Sequence, residues 1–150
     1  MLGIIVAELV RRYDMKKFIP LLILLALSIV LTGCARGDVS NVNIKERSSQ
    51  IYTDKEIHKA VDVAMEYFER EFNGCTLLEI GYAGDDKGEA FVEWESRYGV
   101  DQVIILVSSF SVGPEGGDGS LNPNDTYSNW QWILGRNSGG QWKHLTHGYG

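Results

Sequence analysis

Thr53-Asp54-Lys55-Glu56-Ile57-His58-Lys59-Ala60-Val61-Asp62-Val63-Ala64-Met65-Glu66-Tyr67-Phe68-Glu69-Arg70-Glu71-Phe72-Asn73-Gly74 decides the fold, because it reads as one amphipathic helix with both ends marked. Thr53 is an N-cap residue, Glu56 three positions on closes a capping box, and Tyr52 is placed to staple against Ile57. Ile57, Ala60, Val61, Ala64, Met65, Phe68 and Phe72 recur at three-to-four spacing, while Lys59, Asp62, Glu66, Glu69 and Arg70 take the remaining surface. The pattern predicts a helix from Asp54 to about Asn73, ended by Gly74 in the left-handed conformation, with one face that must be covered by a core.

The chain that follows supplies the cover. Cys75 to Tyr82 alternates, with Thr76, Leu78, Ile80 and Tyr82 on one side and Leu77 and Glu79 on the other, as a half-buried strand does. Gly84, Asp85, Asp86 and Gly88 break it, and Asp86 with Glu89 is set to cap a short second helix carrying Phe91, Trp94 and Tyr98, with Gly99 at its exit. Gln102 to Val112 is apolar on both faces and predicts a central strand. A long polar loop is expected from Gly113 to Asn129, then two strands, Trp130 to Arg136 and Gln141 to His147, joined by Asn137-Ser138-Gly139-Gly140. These elements predict an α+β domain over residues 51–150, with the long N-terminal helix packed on an antiparallel sheet of about four strands and a short second helix beside it.

Upstream, Met15-Lys16-Lys17-Phe18 and the aliphatic run from Ile19 to Leu31 form the basic and apolar regions of a signal peptide, too short to span a bilayer comfortably. Leu31-Thr32-Gly33-Cys34 then matches a bacterial lipobox at all four positions, with cleavage between Gly33 and Cys34 and acylation of the Cys34 thiol. Residues 1–33 are thus expected to be a lipoprotein signal peptide whose true start is Met15. Residues 34–50, polar and without apolar period, are expected to be the lipidated cysteine and a flexible tether. The predicted address is the extracytoplasmic face of the cell membrane, with the membrane itself as a partner through the lipid (palmitate or a similar acyl chain).

Phe68-Glu69-Arg70-Glu71-Phe72-Asn73-Gly74-Cys75-Thr76-Leu77, Tyr82-Ala83-Gly84-Asp85-Asp86, Gly117-Asp118-Gly119-Ser120-Leu121-Asn122-Pro123 and Trp142-Lys143-His144 resemble a set of short, uncharacterised lipoproteins of Gram-positive (Firmicutes-type) gut bacteria. The resemblance covers most of the chain beyond Cys34. It implies a cystatin-like or nuclear-transport-factor-like α+β domain, and it brings no catalytic residues.

Charge narrows the function. The 14 basic and 20 acidic residues fall to 10 and 18 once Arg11, Arg12, Lys16, Lys17, Glu8 and Asp14 are removed with the signal peptide, a net charge of −8. Such a surface disfavours nucleic acid. Lipidation of Cys34 leaves Cys75 as a lone thiol at a strand start, predicted buried and inert. Asp85, Asp86 and Glu89 are read as capping residues rather than an acid–base pair. His144 and His147, three apart on a strand, are predicted to point to opposite faces, and no nucleophile elbow or phosphate loop occurs.

Three readings of function follow. The first is a non-catalytic binding or interaction module without a cofactor, in which Tyr127, Trp130, Trp132 and Trp142 form a surface for a protein, peptide or glycan. The second is a small-molecule pocket, or an enzyme of the same fold, between the first helix and the central strand. The third is a calcium loop from Gly117 to Asp125, in which Asp118, Ser120, Asn122 and Asp125 supply oxygen ligands, although Pro123 stands where a calcium loop of the helix-loop-helix type needs Gly. Replacing Cys34 with Ala is expected to abolish incorporation of a labelled fatty acid; undiminished labelling would overturn the lipid anchor.

Overall fold

The computed structural model describes residues 36–149. The segment expected to be a signal peptide, the lipobox-like motif and Cys34 lie outside the described residues. Five strands form one mixed sheet: β1 (Asn43–Lys45), β2 (Cys75–Tyr82), β3 (Gln102–Val112), β4 (Thr126–Arg136) and β5 (Lys143–Tyr149), in that spatial order. Between β1 and β2 runs α1 (Asp54–Glu71). Between β2 and β3 lie a 3-10 turn (Asp85–Lys87) and α2 (Gly88–Tyr98). The fold class is α+β, with two differences from expectation: the sheet has five strands rather than four, and α1 is preceded by β1, which pairs parallel with β2. The other three pairings are antiparallel.

The start of α1 is set by the residues that predicted it. Thr53 Oγ1 accepts from the Glu56 amide at 3.3 Å, and the Glu56 carboxylate accepts from the Thr53 amide at 2.9 Å. The other carboxylate oxygen of Glu56 is ion-paired with Arg136 of β4, and the Arg136 guanidinium also lies 4.1 Å from the ring centre of Trp142. The Trp142 indole donates to the Glu56 carbonyl at 3.1 Å. The helix ends at Glu71, two residues before the expected stop, and Gly74 takes φ +70°.

Ala60, Val61, Ala64 and Phe68 of α1 are fully buried on the sheet, where Phe68 meets Phe110 at 5.7 Å and Trp132 at 6.2 Å between ring centres. Alternation along β3 places Ile104 and Leu106 on this side and Val103 and Ile105 on the other, and all four are buried. The second side is closed by Val100 just beyond α2 and by Leu145, which crowd the space over Gly135 so closely that a Cβ there would lie 2.7 Å from Leu145. α2 itself packs on β3 and β4. It begins after the 3-10 turn without a side-chain cap, so Asp86 does not cap it as expected.

Residues 36–50, expected to be a flexible tether, are instead held along the outer edge of β2. Asp38 and Leu77 exchange backbone bonds with that edge, Asp38 N donating to Cys75 O and Leu77 N donating to Asp38 O, each at 2.8 Å. Further on, Asp85 accepts from Ser49 Oγ at 2.6 Å, Gln50 N at 2.7 Å and Tyr82 Oη at 2.8 Å, and Arg47 donates to Ala83 O and pairs with Asp86. Polar composition misled because the segment is fixed by main-chain pairing and by carboxylates elsewhere, neither of which leaves an apolar period. Gly37 is needed at its start: a Cβ would sit 2.4 Å from Phe68 O.

Strand alternation is interrupted three times by bulges, where two residues on one strand oppose one on its neighbour. In β2 the extra residue is at Leu78, so Leu77, Ile80 and Tyr82 face the core together and Leu78 is exposed, reversing the expected assignment of Leu77 and Leu78. In β4 the irregularity lies between Tyr127 and Trp130, with Asn129 at φ +58°, and the strand begins at Thr126 rather than Trp130. In β5 it lies between His144 and Thr146.

The Thr53 bonds and Arg136 hold the Glu56 carboxyl down at about 2, with the Arg136 bond the largest cause, against 4.5 ordinarily. Its contribution is therefore complete above pH 4.5 and disappears as pH falls toward 2. Glu56→Ala is expected to cost about 2 kcal/mol in urea unfolding at pH 7 by removing the cap and leaving Arg136 without its partner. The difference from wild type should shrink between pH 4.5 and 2; a gap that stays constant through that range would refute the pairing.

Candidate functional site

The centre of the concavity between α1 and the sheet is filled by Phe68, Phe110 and Trp132. The opening lies farther along, at the C-terminal end of α1. There a cleft of about 250 Å³ is bounded by Tyr67, Glu71 and Phe72 from the helix, Cys75 from β2, Gly117 to Leu121 from the loop, Trp130 from β4 and His147 from β5. Phe72 and Cys75 are buried, Tyr67, Leu121, Trp130 and His147 are half-buried, and Glu71, Asp118 and Ser120 are exposed. The cleft thus has an apolar interior and a polar rim, the general character of a ligand site, although it is smaller than drug-sized pockets.

Bulges build this end of the domain. Pairing of Trp132 with His147 and of Leu134 with His144 leaves Leu145 without a counterpart, so the two histidines point to the same side of the sheet. His147 Nδ1 and His144 Nε2 are 3.0 Å apart. The Tyr67 ring stacks on His144 at 3.8 Å, and Phe72 and Trp132 each lie 5.3 Å from His147. The expectation of opposite faces assumed an uninterrupted strand, and the extra residue changes the phase. The bulge in β4 likewise carries Tyr127 onto the side of Trp130, and the two rings meet edge to face at 5.9 Å.

Burial pushes the His144 imidazolium down to about 4, helped by His147 and Arg70, and burial also lowers His147. Both rings are neutral at pH 7. The 3.0 Å bond between them therefore needs one ring to donate and the other to accept, so the tautomers are linked. Burial and the charge of Asp118 raise the Cys75 thiol. Its contact is the Asn73 carbonyl at 3.8 Å, with no histidine bonded to it, so the thiol stays protonated and unactivated.

The four aromatic residues expected to form a binding surface separate. Trp132 is fully buried, with its indole donating to Ser108 Oγ at 2.8 Å, and Trp142 is buried under Arg136, so both belong to the core. Tyr127 and Trp130 lie at the cleft end, beside the exposed Tyr149. Trp130 differs from the others in one respect. Its Nε1 is, among the described residues, a buried side-chain polar atom with no hydrogen-bond partner.

The residues expected to ligate calcium are engaged within their own loop. Asp118 Oδ1 accepts from the Ser120 amide at 2.9 Å, Asp125 Oδ1 from the Thr126 amide at 2.7 Å, and Asp125 Oδ2 from the Asn122 side chain at 3.3 Å. Bonds of this kind are the ordinary chemistry of turns. Among the described residues no three His, Cys, Asp or Glu side chains are grouped to hold a metal ion. The loop instead serves as the outer wall of the cleft, with Gly116, Gly117 and Gly119 all at positive φ.

Sequence reasoning missed Tyr67, Glu71 and the histidine pair as one site. Tyr67 had a usable signal, since it stands three residues after Ala64 and so extends the buried stripe of α1. The bulge at Leu145 had none. Compared with protein families, curated proteins and solved structures, the chain matches none. Among the described residues no helix is long and apolar enough to cross a membrane.

Because the folded pKa of His144 is about 4 and the ordinary value 6.5, the unfolded chain takes up a proton that the folded chain refuses. Stability is therefore full above pH 6.5 and declines as pH falls toward 4. Ring-proton NMR should show His58, whose bond to the Asp54 carbonyl raises it, protonating first and His144 last. A His144 midpoint at or above 6.5 would contradict the buried pair.

Proposed function

We propose that this is a lipid-anchored extracytoplasmic domain that binds a small ligand in the cleft at the end of α1 and does not transform it. The lipobox at Cys34 supports the address: the outer face of the cell membrane. The α1 helix lying across a sheet that runs antiparallel from β2 to β5 supports a cystatin-like or nuclear-transport-factor-like arrangement, with the parallel β1 as its departure.

The observation that carries the binding reading is the cleft itself, with its apolar interior and polar rim, and Trp130 in its wall stands apart from the rest of the aromatic core. The other buried aromatic donors have acceptors: Trp132 has Ser108 Oγ, Trp142 has Glu56 O and Tyr52 has Val103 O. Trp130 Nε1 alone of these is unpaired, and its ring lines the cleft. An unmet buried donor costs about 1–3 kcal/mol, so this wall of the cleft is built at a cost in stability. Absence of turnover is supported by the protonated Cys75 and by a histidine pair bonded to itself rather than to a nucleophile.

Leu121 forms part of the wall and is half-buried, so Leu121→Trp is expected to fill the cleft while keeping the fold. Saturation-transfer NMR of the full chain in non-ionic micelles against a fragment library should give hits that Leu121→Trp eliminates. A screen whose hits all survive that substitution, or that yields none, would dispose of the ligand site.

A further inference from the structure

The geometry points to a small organic ammonium ion with a short alkyl body as the class of ligand the cleft accepts. This rests on the reading of the cleft as a ligand site and adds the chemistry of its occupant. The ionisable side chains at the rim are Glu71 and Asp118, and neither Lys nor Arg lines the cleft. Hydrogen bonds from the Ser120 side chain and amide keep Asp118 ionised, and His147, the basic group on the inner wall, is neutral at pH 7.

An anionic ligand would meet Asp118, which has no ion pair among the described residues, and Glu71, which is already paired with Arg70. A neutral apolar ligand would fill the interior and leave Asp118 beside it without gain. An ammonium places its charge beside Asp118 and its methylenes or methyls against Phe72, Leu121 and the aromatic rings.

Arg70, the neighbour of Glu71 in sequence, does not fill the cleft. Arg70 bonds Glu71 at 2.7 Å and its guanidinium carbon lies 5.3 Å from the Tyr67 ring centre, but it lines the neighbouring depression with Val63, Glu66 and His144. The volume of about 250 Å³ suits a ligand of fragment size rather than a peptide side chain with its backbone or an oligosaccharide. The chain's net charge of −6 adds a long-range field of the same sign.

The test uses the full chain in non-ionic, choline-free micelles, titrated with choline chloride and with its neutral isostere 3,3-dimethylbutan-1-ol, read by tryptophan fluorescence and calorimetry. Choline is expected to bind at least tenfold more tightly than the isostere. Asp118→Asn, at an exposed position that the fold tolerates, should weaken choline at least fivefold and leave the isostere unchanged. Glu89→Gln on α2 should alter neither. Equal affinity for the two probes, or choline binding indifferent to Asp118→Asn, overturns the proposal. If neither probe binds while fragments are still lost on Leu121→Trp, the ammonium assignment fails and the ligand site stands; if the fragments fail as well, both fall.

Discussion

Everything in this domain depends on Phe68 being driven between Phe110 and Trp132. Phe68 is the largest side chain that α1 buries fully, with Val61 beside it, while Ala60 and Ala64 contribute little area and let the backbone approach. Filling the centre with three large rings has two outcomes. It closes the space beneath the middle of the helix, and it leaves the cleft to form at the C-terminal end of α1, beside Tyr67, Phe72 and Trp130. Core and site are therefore one aromatic system, running without a break from Phe68 through Phe72 to His147 and Trp130.

Much of the fold was legible because its signals are local. The box formed by Thr53 and Glu56, the period of the α1 stripe, the continuous apolarity of β3 and the Asn137 to Gly140 turn each act within a few residues, and each leads to the element it announces. What was not legible is what depends on partners distant in sequence. Asp38 and Asn43 to Lys45 look like tether because their bonds are main-chain bonds to β2. Asp85 looks like a cap for α2, yet its oxygens are taken by Ser49, Gln50 and Tyr82.

The site was hidden for a more specific reason. Period-two reasoning holds only while each residue on one strand opposes one on the next, and here Leu78, the Tyr127–Trp130 stretch and Leu145 each break that count. A single inserted position inverts every assignment beyond it, so His144 and His147 could not be brought together from spacing alone. Trp132 and Trp142 show the converse. Their indoles are amphipathic enough to suit an interface, but Ser108 and the Glu56 carbonyl satisfy them inside, and no local pattern distinguishes the two fates.

The link from Glu56 through Arg136 to Trp142 has a further meaning for how the chain acquires its structure. The helix is synthesised early, while the residues that clamp its first turn and cover its side come from the last hairpin, 80 and 86 residues later. Tyr67 waits likewise for His144. A nascent chain leading with α1 thus has an apolar stripe whose cover stays incomplete until β4 and β5 emerge to join Phe110 of β3, so contacts of long sequence separation complete the core. Folding is expected to finish late, once the last hairpin is present to clamp the first turn of α1.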